Sequence, residues 1–306
     1  MAARVERGGN YVKLQAAKLK MGAFMELTKP GISGMVLVST SIGYYLGSKT
    51  AGGMQTGLYL MLLLGSALSA GGVAALNEYW ERNLDAKMMR TKARPLPSGR
   101  LAPREALLFA VGISSLGIAI LTLGVHPGTG LLALLTLMTY IFVYTPLKRI
   151  TTWNTVIGAL PGALPPLGGW LAATGELAPG AWALFLILFA WQIPHFLAIA
   201  TIYREDYRLG GMKMLPSMPN GSRATAGHIM VFSLILLAAS MLPAFYNLTG
   251  PVYLTGAVIL GLTLLGYAAA AARNQFVPQA RKLMFASIVY LPALLAIMVA
   301  DLEFFD

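Results

Sequence analysis

Cysteine is absent from the 306 residues, which excludes a disulfide framework and any thiolate-held metal. Charge is scarce. Only 11% of the side chains are Asp, Glu, Lys or Arg against 57% hydrophobic ones, and the mean hydropathy is +0.66; soluble domains carry roughly 25% charged residues. That balance excludes an ordinary soluble globular protein and reads as a multispanning membrane protein. A secretory signal is lacking too. The first 22 residues hold Arg4, Arg7, Lys13, Lys18 and Lys20 with no short apolar h-region or small-residue cleavage site, so they read as a basic tail, a bias that mitochondrial presequences share.

What is present is a series of apolar runs of about 20 residues, the length a helix needs to cross about 30 Å of hydrocarbon. Nine are expected, near 31–48, 56–79, 105–124, 129–146, 153–173, 180–202, 225–247, 252–272 and 283–301. The expected fold is all-α, one transmembrane domain over residues 1–306 built as a nine-helix bundle with two long charged cytoplasmic loops.

The net charge of +11 could suggest nucleic acid, but its placement excludes that reading. With a cytoplasmic N-terminus and nine spans, every one of the 23 bases except Lys49 falls on the cytoplasmic face, as the positive-inside rule asks. The C-terminus, ending in the acidic "DLEFFD", then lies outside. The outward connections are short and nearly uncharged. Two cytoplasmic ones, roughly 80–104 and 203–223, are long and rich in charge, Gly and Pro, and function is expected there. The two loops resemble each other faintly, as an internally repeated bundle would require.

At the end of the second run, Asn77, Glu81 and Asp85 recur every four residues and share one helix face over about 12 Å. Amide and carboxylate oxygens so arranged suit a hard divalent cation, Mg²⁺ above all, which keeps several waters and binds phosphate oxygens. The plainer alternative is a solvated helix end laced with ion pairs from Glu81 to Arg82, Lys87 or Arg90. Arg90, Lys92 and Arg94 follow at once, and Lys29, Lys148, Arg149 and Lys213 end other runs on the same face, while Glu205 and Asp206 come from the second loop. Acids for Mg²⁺ beside bases for phosphate make a diphosphate site. A diphosphate head with its tail in the membrane is a prenyl diphosphate, and loss of diphosphate to an allylic cation needs no side-chain nucleophile.

These residues resemble the UbiA-type intramembrane prenyltransferases, whose first acidic motif, Asn-(Asp/Glu)-x-x-(Asp/Glu)-x-x-x-Asp, is met by Asn77, Glu78, Glu81 and Asp85. Further strings, "ELTKP", "RTKARPLPSGRL", "VYTPLKR", "TTWNTVIGALPGALPPLGGW" and "WQIPHFLAIATIYREDYRLGGMKMLP", are similar to its heme-farnesylating branch, the heme O synthases. The resemblance implies that a farnesyl group passes from farnesyl diphosphate to a vinyl group of heme B, with water added, in a bacterial inner membrane. It implies that Asn77, Glu81, Asp85 and Asp206 hold Mg²⁺ and that Arg90, Arg94, Lys148 and Lys213 hold the diphosphate; by their position on the same face, Glu205 joins the expected metal set and Lys29 and Asn154 the expected diphosphate set. It also implies heme A synthase as a partner. Two departures stand out: Gly31 occupies a position where many relatives carry Arg, and Ile202 sits four residues before Asp206 where quinone-pathway relatives carry a second Asp.

His195 lies 11 residues before Asp206, about 16 Å along a helix and so inside the bilayer. An intramembrane polar group is a functional candidate, here for orienting heme, with a hydrogen bond to a neighbouring span as the alternative. The Pro- and Gly-rich "LPGALPPLGGW" is read as a kinked, cavity-lining helix or as close packing. Trp153, Trp170 and Trp191 are read as interface anchors or packing. A quinone-precursor prenyltransferase, acting for example on 4-hydroxybenzoate, a secondary transporter and a non-catalytic assembly factor complete the alternatives.

Overall fold

The structure, a computed structural model, describes Gln15 and residues 18–304; Arg4, Arg7 and Lys13 of the basic tail and the final Asp306 lie outside the described residues. No strand occurs among the described residues. Helix α1 (18–27) leads into α2 (Pro30–Thr50), α3 (Thr56–Asp85), α4 (Pro103–Gly124), α5 (Pro127–Met138), a π-helical stretch (Thr139–Tyr144) and the short α6 (Thr145–Leu147). Then come α7 (Asn154–Ala163), α8 (Pro165–Thr174), α9 (Pro179–Ile202), α10 (Arg204–Leu209), α11 (Gly221–Phe245), α12 (Pro251–Arg273) and α13 (Val277–Phe304). Six of them start on proline, whose fixed φ and missing N–H suit a first helical turn.

Eight segments among the described residues are long and apolar enough to cross a membrane, with α5 to α6 and α7 to α8 each counting as one. The expected first span, 31–48, is α2. It has the length, 21 residues, but not the apolarity, because Ser39, Thr40, Tyr44 and Ser48 sit buried along it. Ser39, Thr40 and Ser41 donate to the carbonyls of Met35, Val36 and Leu37, so the helix satisfies its own hydroxyls. The nine-span expectation is thus met in eight, with the ninth run helical but polar.

Small residues set the packing, as they do where lipid provides no hydrophobic drive between helices. A Cβ on Gly43 of α2 would lie 2.1 Å from the Pro166 oxygen of α8, and one on Gly169 of α8 would lie 2.0 Å from the Thr40 oxygen of α2. Those two backbones touch only because both positions lack a side chain. Helix α9 is the most enclosed span, packed by α7, α11 and α13. The outer surface is apolar, with Leu64, Leu108, Leu123 and Leu131 all exposed, as lipid contact requires.

At the end of the bundle away from the charged loops, Asp301 of α13 is buried and accepts hydrogen bonds from the Gly250 and Tyr253 N–H groups at the start of α12. This places a carboxylate on N–H groups left open by the helix and on the positive end of its dipole. Asp301→Ala is expected to lower stability by about 1–2 kcal/mol, read as a lower unfolding midpoint in detergent, with Asp301→Asn intermediate.

Candidate active site

The last three turns of α3 carry Asn77, Glu78, Glu81 and Asp85, and all four are buried, Asp85 to 1% exposure. A buried carboxylate is tolerated only where it is paired, so its partners define the site. Lys148 donates to Glu81 Oε1 at 2.8 Å, and Asn77 Nδ2 donates to Glu81 Oε2 at 3.1 Å and to Thr145 Oγ1 at 3.2 Å. Lys29 donates to Asn77 Oδ1 at 3.2 Å, and Arg94 pairs with Asp85 Oδ2 at 2.7 Å. One stripe of α3 therefore gathers bases from three other segments.

Local structure explains each approach. Lys29 has φ 48° and ψ 67°, a left-handed conformation rare for a residue with a side chain, directly before Pro30. That turn joins α1 to α2 and brings the lysine to Asn77. The π-helical stretch widens the helix before Lys148, so Thr145 and Lys148 both reach α3, and the Lys148 ammonium rests 4.5 Å from the Tyr144 ring centre. The first loop folds as a run of turns, closed by Arg100, whose guanidinium donates to both Glu26 oxygens at 2.7 and 2.9 Å and to the Ala93 carbonyl. This clasp ties the loop to α1.

Burial pulls the Lys29 ammonium down to about 8; Arg94 and Lys148 add to that effect, and Glu81 and Glu78 oppose it. Burial also pulls on Lys148, but the Glu81 carboxylate together with Tyr144 and Tyr140 outweighs it and holds the ammonium above its ordinary value. Glu78 Oε1 is buried with no partner.

The second loop contributes less evenly. Asp206 accepts from the Arg90 N–H at 3.3 Å, and the Arg90 guanidinium lies 5.3 Å from the Tyr203 ring centre and 5.7 Å from that of Tyr207. Glu205 instead pairs with Arg208 at 2.8 Å, with 64% of its side chain exposed. Lys213 is tied to the site through its backbone N–H, which donates to the Lys148 carbonyl at 2.7 Å; its side chain is exposed. Asn154 is fully buried and donates to the carbonyls of Thr151 and Lys213 at 2.6 and 2.9 Å, which fixes that loop on α7. The fold thus unites Asn77, Glu81, Asp85, Lys29, Lys148 and Arg94, sets Arg90 and Asp206 against each other, and turns Glu205 outward. The two loops also differ in kind, turns in one and α10 plus a 3-10 turn in the other, so no repeat is visible in their local structure.

Among the described residues no three acidic or histidine groups converge closely enough to hold a metal unaided. The donors nevertheless fit a hard divalent cation that takes one or two carboxylates and completes its shell with water and phosphate oxygens. The orphaned Glu78 Oε1 leaves an unmatched buried acceptor on the same helix.

From this mouth a cavity of about 400 Å³ runs into the bundle, past Lys29, Tyr140 and Tyr144 to Leu132, Trp191 and His195. The expected kinked helix forms one wall: the chain breaks at Leu164 between α7 and α8, and Pro161 and Gly162 face the space. Close packing is present as well, through Gly169. Trp170 is buried in the core, Trp153 is 58% exposed, and Trp191 is stacked on His195 in the cavity wall, 4.8 Å between ring centres. Sequence reasoning gave no role to Thr145, Tyr140, Tyr144 or Ser287. The string "VYTPLKR" held the first and third of these, but only the π turn aligns them with the acids.

Comparison with known proteins supports the same reading. Residues 36–289 match the UbiA prenyltransferase family. A protein named protoheme IX farnesyltransferase from Solibacter usitatus is 42% identical, over 92% of this chain and 99% of its own length; one of the same name from Salinibacter ruber is 42% identical over 91% and 98%. Among solved structures, a digeranylgeranylglyceryl phosphate synthase superposes with a TM-score of 0.77 at 16% identity, covering 92% of this chain and 98% of that one. A UbiA homolog from Archaeoglobus fulgidus bound to GPP and Mg²⁺ does so at 0.61 and 14%, covering 90% and 99%. The acidic stripe, the bases that meet it and the apolar cavity behind them sit in a chain that belongs to the UbiA prenyltransferase family.

Proposed function

We propose that this chain transfers a farnesyl group from farnesyl diphosphate to a vinyl group of heme B, with addition of water, to give heme O and diphosphate. The observation that carries the reading is the buried stripe of Asn77, Glu81 and Asp85, met by Lys29, Lys148 and Arg94 at the mouth of an apolar cavity. The heme acceptor is supported by relatives at about 40% identity that carry the name protoheme IX farnesyltransferase.

Lys29, Lys148, Arg94 and Arg90 would hold the diphosphate, exchanging their present carboxylate, amide or aromatic contacts for phosphate oxygens, and the exposed Lys213 would join them. Asn154 would serve that set by anchoring the Lys213 carbonyl. Asn77, Glu81, Asp85 and Asp206 would hold Mg²⁺, which supplies Lewis-acid stabilisation of the departing diphosphate when bound. Glu205 would have to leave Arg208 to join them. The Tyr140 and Tyr144 rings line the cavity just inside the mouth, where an aromatic face suits a developing allylic cation. The apolar walls keep water away until the acceptor vinyl attacks.

The chain is a multi-pass membrane protein. We place it in a bacterial inner membrane with the charged loops and N-terminus cytoplasmic and the C-terminus outside, and heme A synthase as the partner that consumes its product.

The test is direct. Purified protein with heme B, farnesyl diphosphate and Mg²⁺ is expected to yield farnesylated, hydrated heme by mass spectrometry. Prenylation of 4-hydroxybenzoate with heme B untouched would replace heme by a quinone precursor; substrate uptake into proteoliposomes with no prenyl product would favour transport.

A further inference from the structure

Ser287 of α13 lies far from the charged mouth in sequence, and nothing in the motifs marks it. In the folded chain it is fully buried and sits at the centre of three hydrogen bonds. Its hydroxyl donates to the Met284 carbonyl at 2.6 Å, its own carbonyl accepts from Trp191 Nε1 at 2.7 Å, and its Oγ is 2.7 Å from His195 Nδ1.

These contacts decide where the proton on His195 sits. A serine hydroxyl has one hydrogen, and a carbonyl can only accept, so that hydrogen is spent on Met284. The contact between His195 and Ser287 is then made by a proton on Nδ1, with Ser287 Oγ accepting. A neutral imidazole protonated at Nδ1 carries a free lone pair at Nε2. No group in the described structure hydrogen-bonds Nε2, while His195 lines the same cavity that opens at Lys29. Trp191, stacked at 15° on the imidazole and held by the Ser287 carbonyl, fixes the ring plane.

We infer that Ser287 is a positioning residue that holds His195 as its Nδ1–H tautomer, so that Nε2 ligates the iron of the heme substrate from the cavity wall. The inference rests on the heme reading above and deepens it. A histidine that binds metal typically donates its other N–H to a fixed partner, which sets both tautomer and orientation; here the partner is a hydroxyl whose own hydrogen is already committed. His195 lies seven residues, about 10 Å, inside the end of α9. Iron held there would seat the porphyrin in the cavity that also receives the prenyl chain, with a vinyl group exposed to the cation.

The experiment titrates full-length protein with heme B and records absorption and magnetic circular dichroism, with metal-free protoporphyrin IX as the control porphyrin. Wild type is expected to show a histidine-ligated spectrum. His195→Gly should lose it and regain it on addition of imidazole. Ser287→Ala should bind heme B about tenfold to a hundredfold more weakly than wild type, the usual effect of losing a ligand's outer partner. It should bind protoporphyrin IX and farnesyl diphosphate as wild type does, which a merely misfolded variant would not, and Ser287→Thr should restore heme binding. An unchanged spectrum in His195→Gly, or equal heme B affinity in Ser287→Ala and wild type, would overturn the inference. Farnesyl transfer is measured on the same samples. Conversion of heme B by wild type together with either of those results sinks the ligand and leaves the reaction standing, whereas a wild type that neither binds nor converts heme B sinks both.

Discussion

Replacing Lys148 by Met is expected to destabilise the protein by about 3 kcal/mol and to abolish turnover, and adding Glu81→Gln is expected to restore most of the stability without restoring turnover. The reason is the burial of the pair. Lys148 and Glu81 meet at 2.8 Å with side-chain exposures of 11% and 5%, so removing the ammonium strands a carboxylate that water cannot reach. Neutralising that carboxylate removes most of the penalty, because a buried amide short of one partner costs less than a buried charge without one. The reaction gains nothing from the second change. On the proposed reading the double variant lacks both the Lys148 ammonium that meets the diphosphate and the Glu81 carboxylate that meets the metal. Unfolding midpoints in detergent and product formation, measured for wild type, both single variants and the double variant, check the prediction. A double variant that stays as unstable as Lys148→Met would show that the pair is not the source of the loss.

Removing one negative charge at Asp85 is the second large effect. Asp85→Asn keeps the shape of the side chain and a hydrogen-bond acceptor for Arg94, 2.7 Å away, but weakens the salt bridge and, on the proposed reading, the hold on Mg²⁺. Turnover should fall by roughly a hundredfold or more, the scale of losing one preorganised electrostatic contact to a developing charge. Chelation with EDTA should stop wild-type turnover, and added Mg²⁺ should return it. In Asp85→Asn, higher Mg²⁺ should recover part of the rate if the lost charge acts through the metal. Turnover within twofold of wild type in Asp85→Asn, or full activity in metal-free buffer, would remove the carboxylate stripe from the chemistry.

The acidic stripe was visible in sequence because α-helical periodicity alone puts Asn77, Glu81 and Asp85 on one face. The bases were visible only as a population. Lys29, Arg90, Lys92, Arg94, Lys148, Arg149 and Lys213 all lie in connections on one side, and nothing local separates them. The fold selects Lys29, Lys148 and Arg94 by setting them against the stripe of α3, and leaves Lys92 and Arg149 exposed. Glu205 and Asp206, adjacent in sequence, part company because neighbours on a helix point in different directions: one meets Arg208 in the same helix and the other the Arg90 backbone.

The sequence by itself determined that this is a helical membrane protein, where its spans run, and which end of the bundle carries the charge, since hydrocarbon thickness and periodicity act on local stretches of chain. It did not determine the standing of α2, whose hydroxyls bond its own carbonyls and whose glycines seat it on α8. Nor did it reveal which residue meets His195 or how Thr145 and Lys148 reach α3. Those depend on Ser287, 92 residues away along the chain, and on a π turn that realigns Thr145 and Lys148. Tertiary structure decided them because burial and hydrogen bonding between distant segments, not spacing along one helix, choose which polar groups meet.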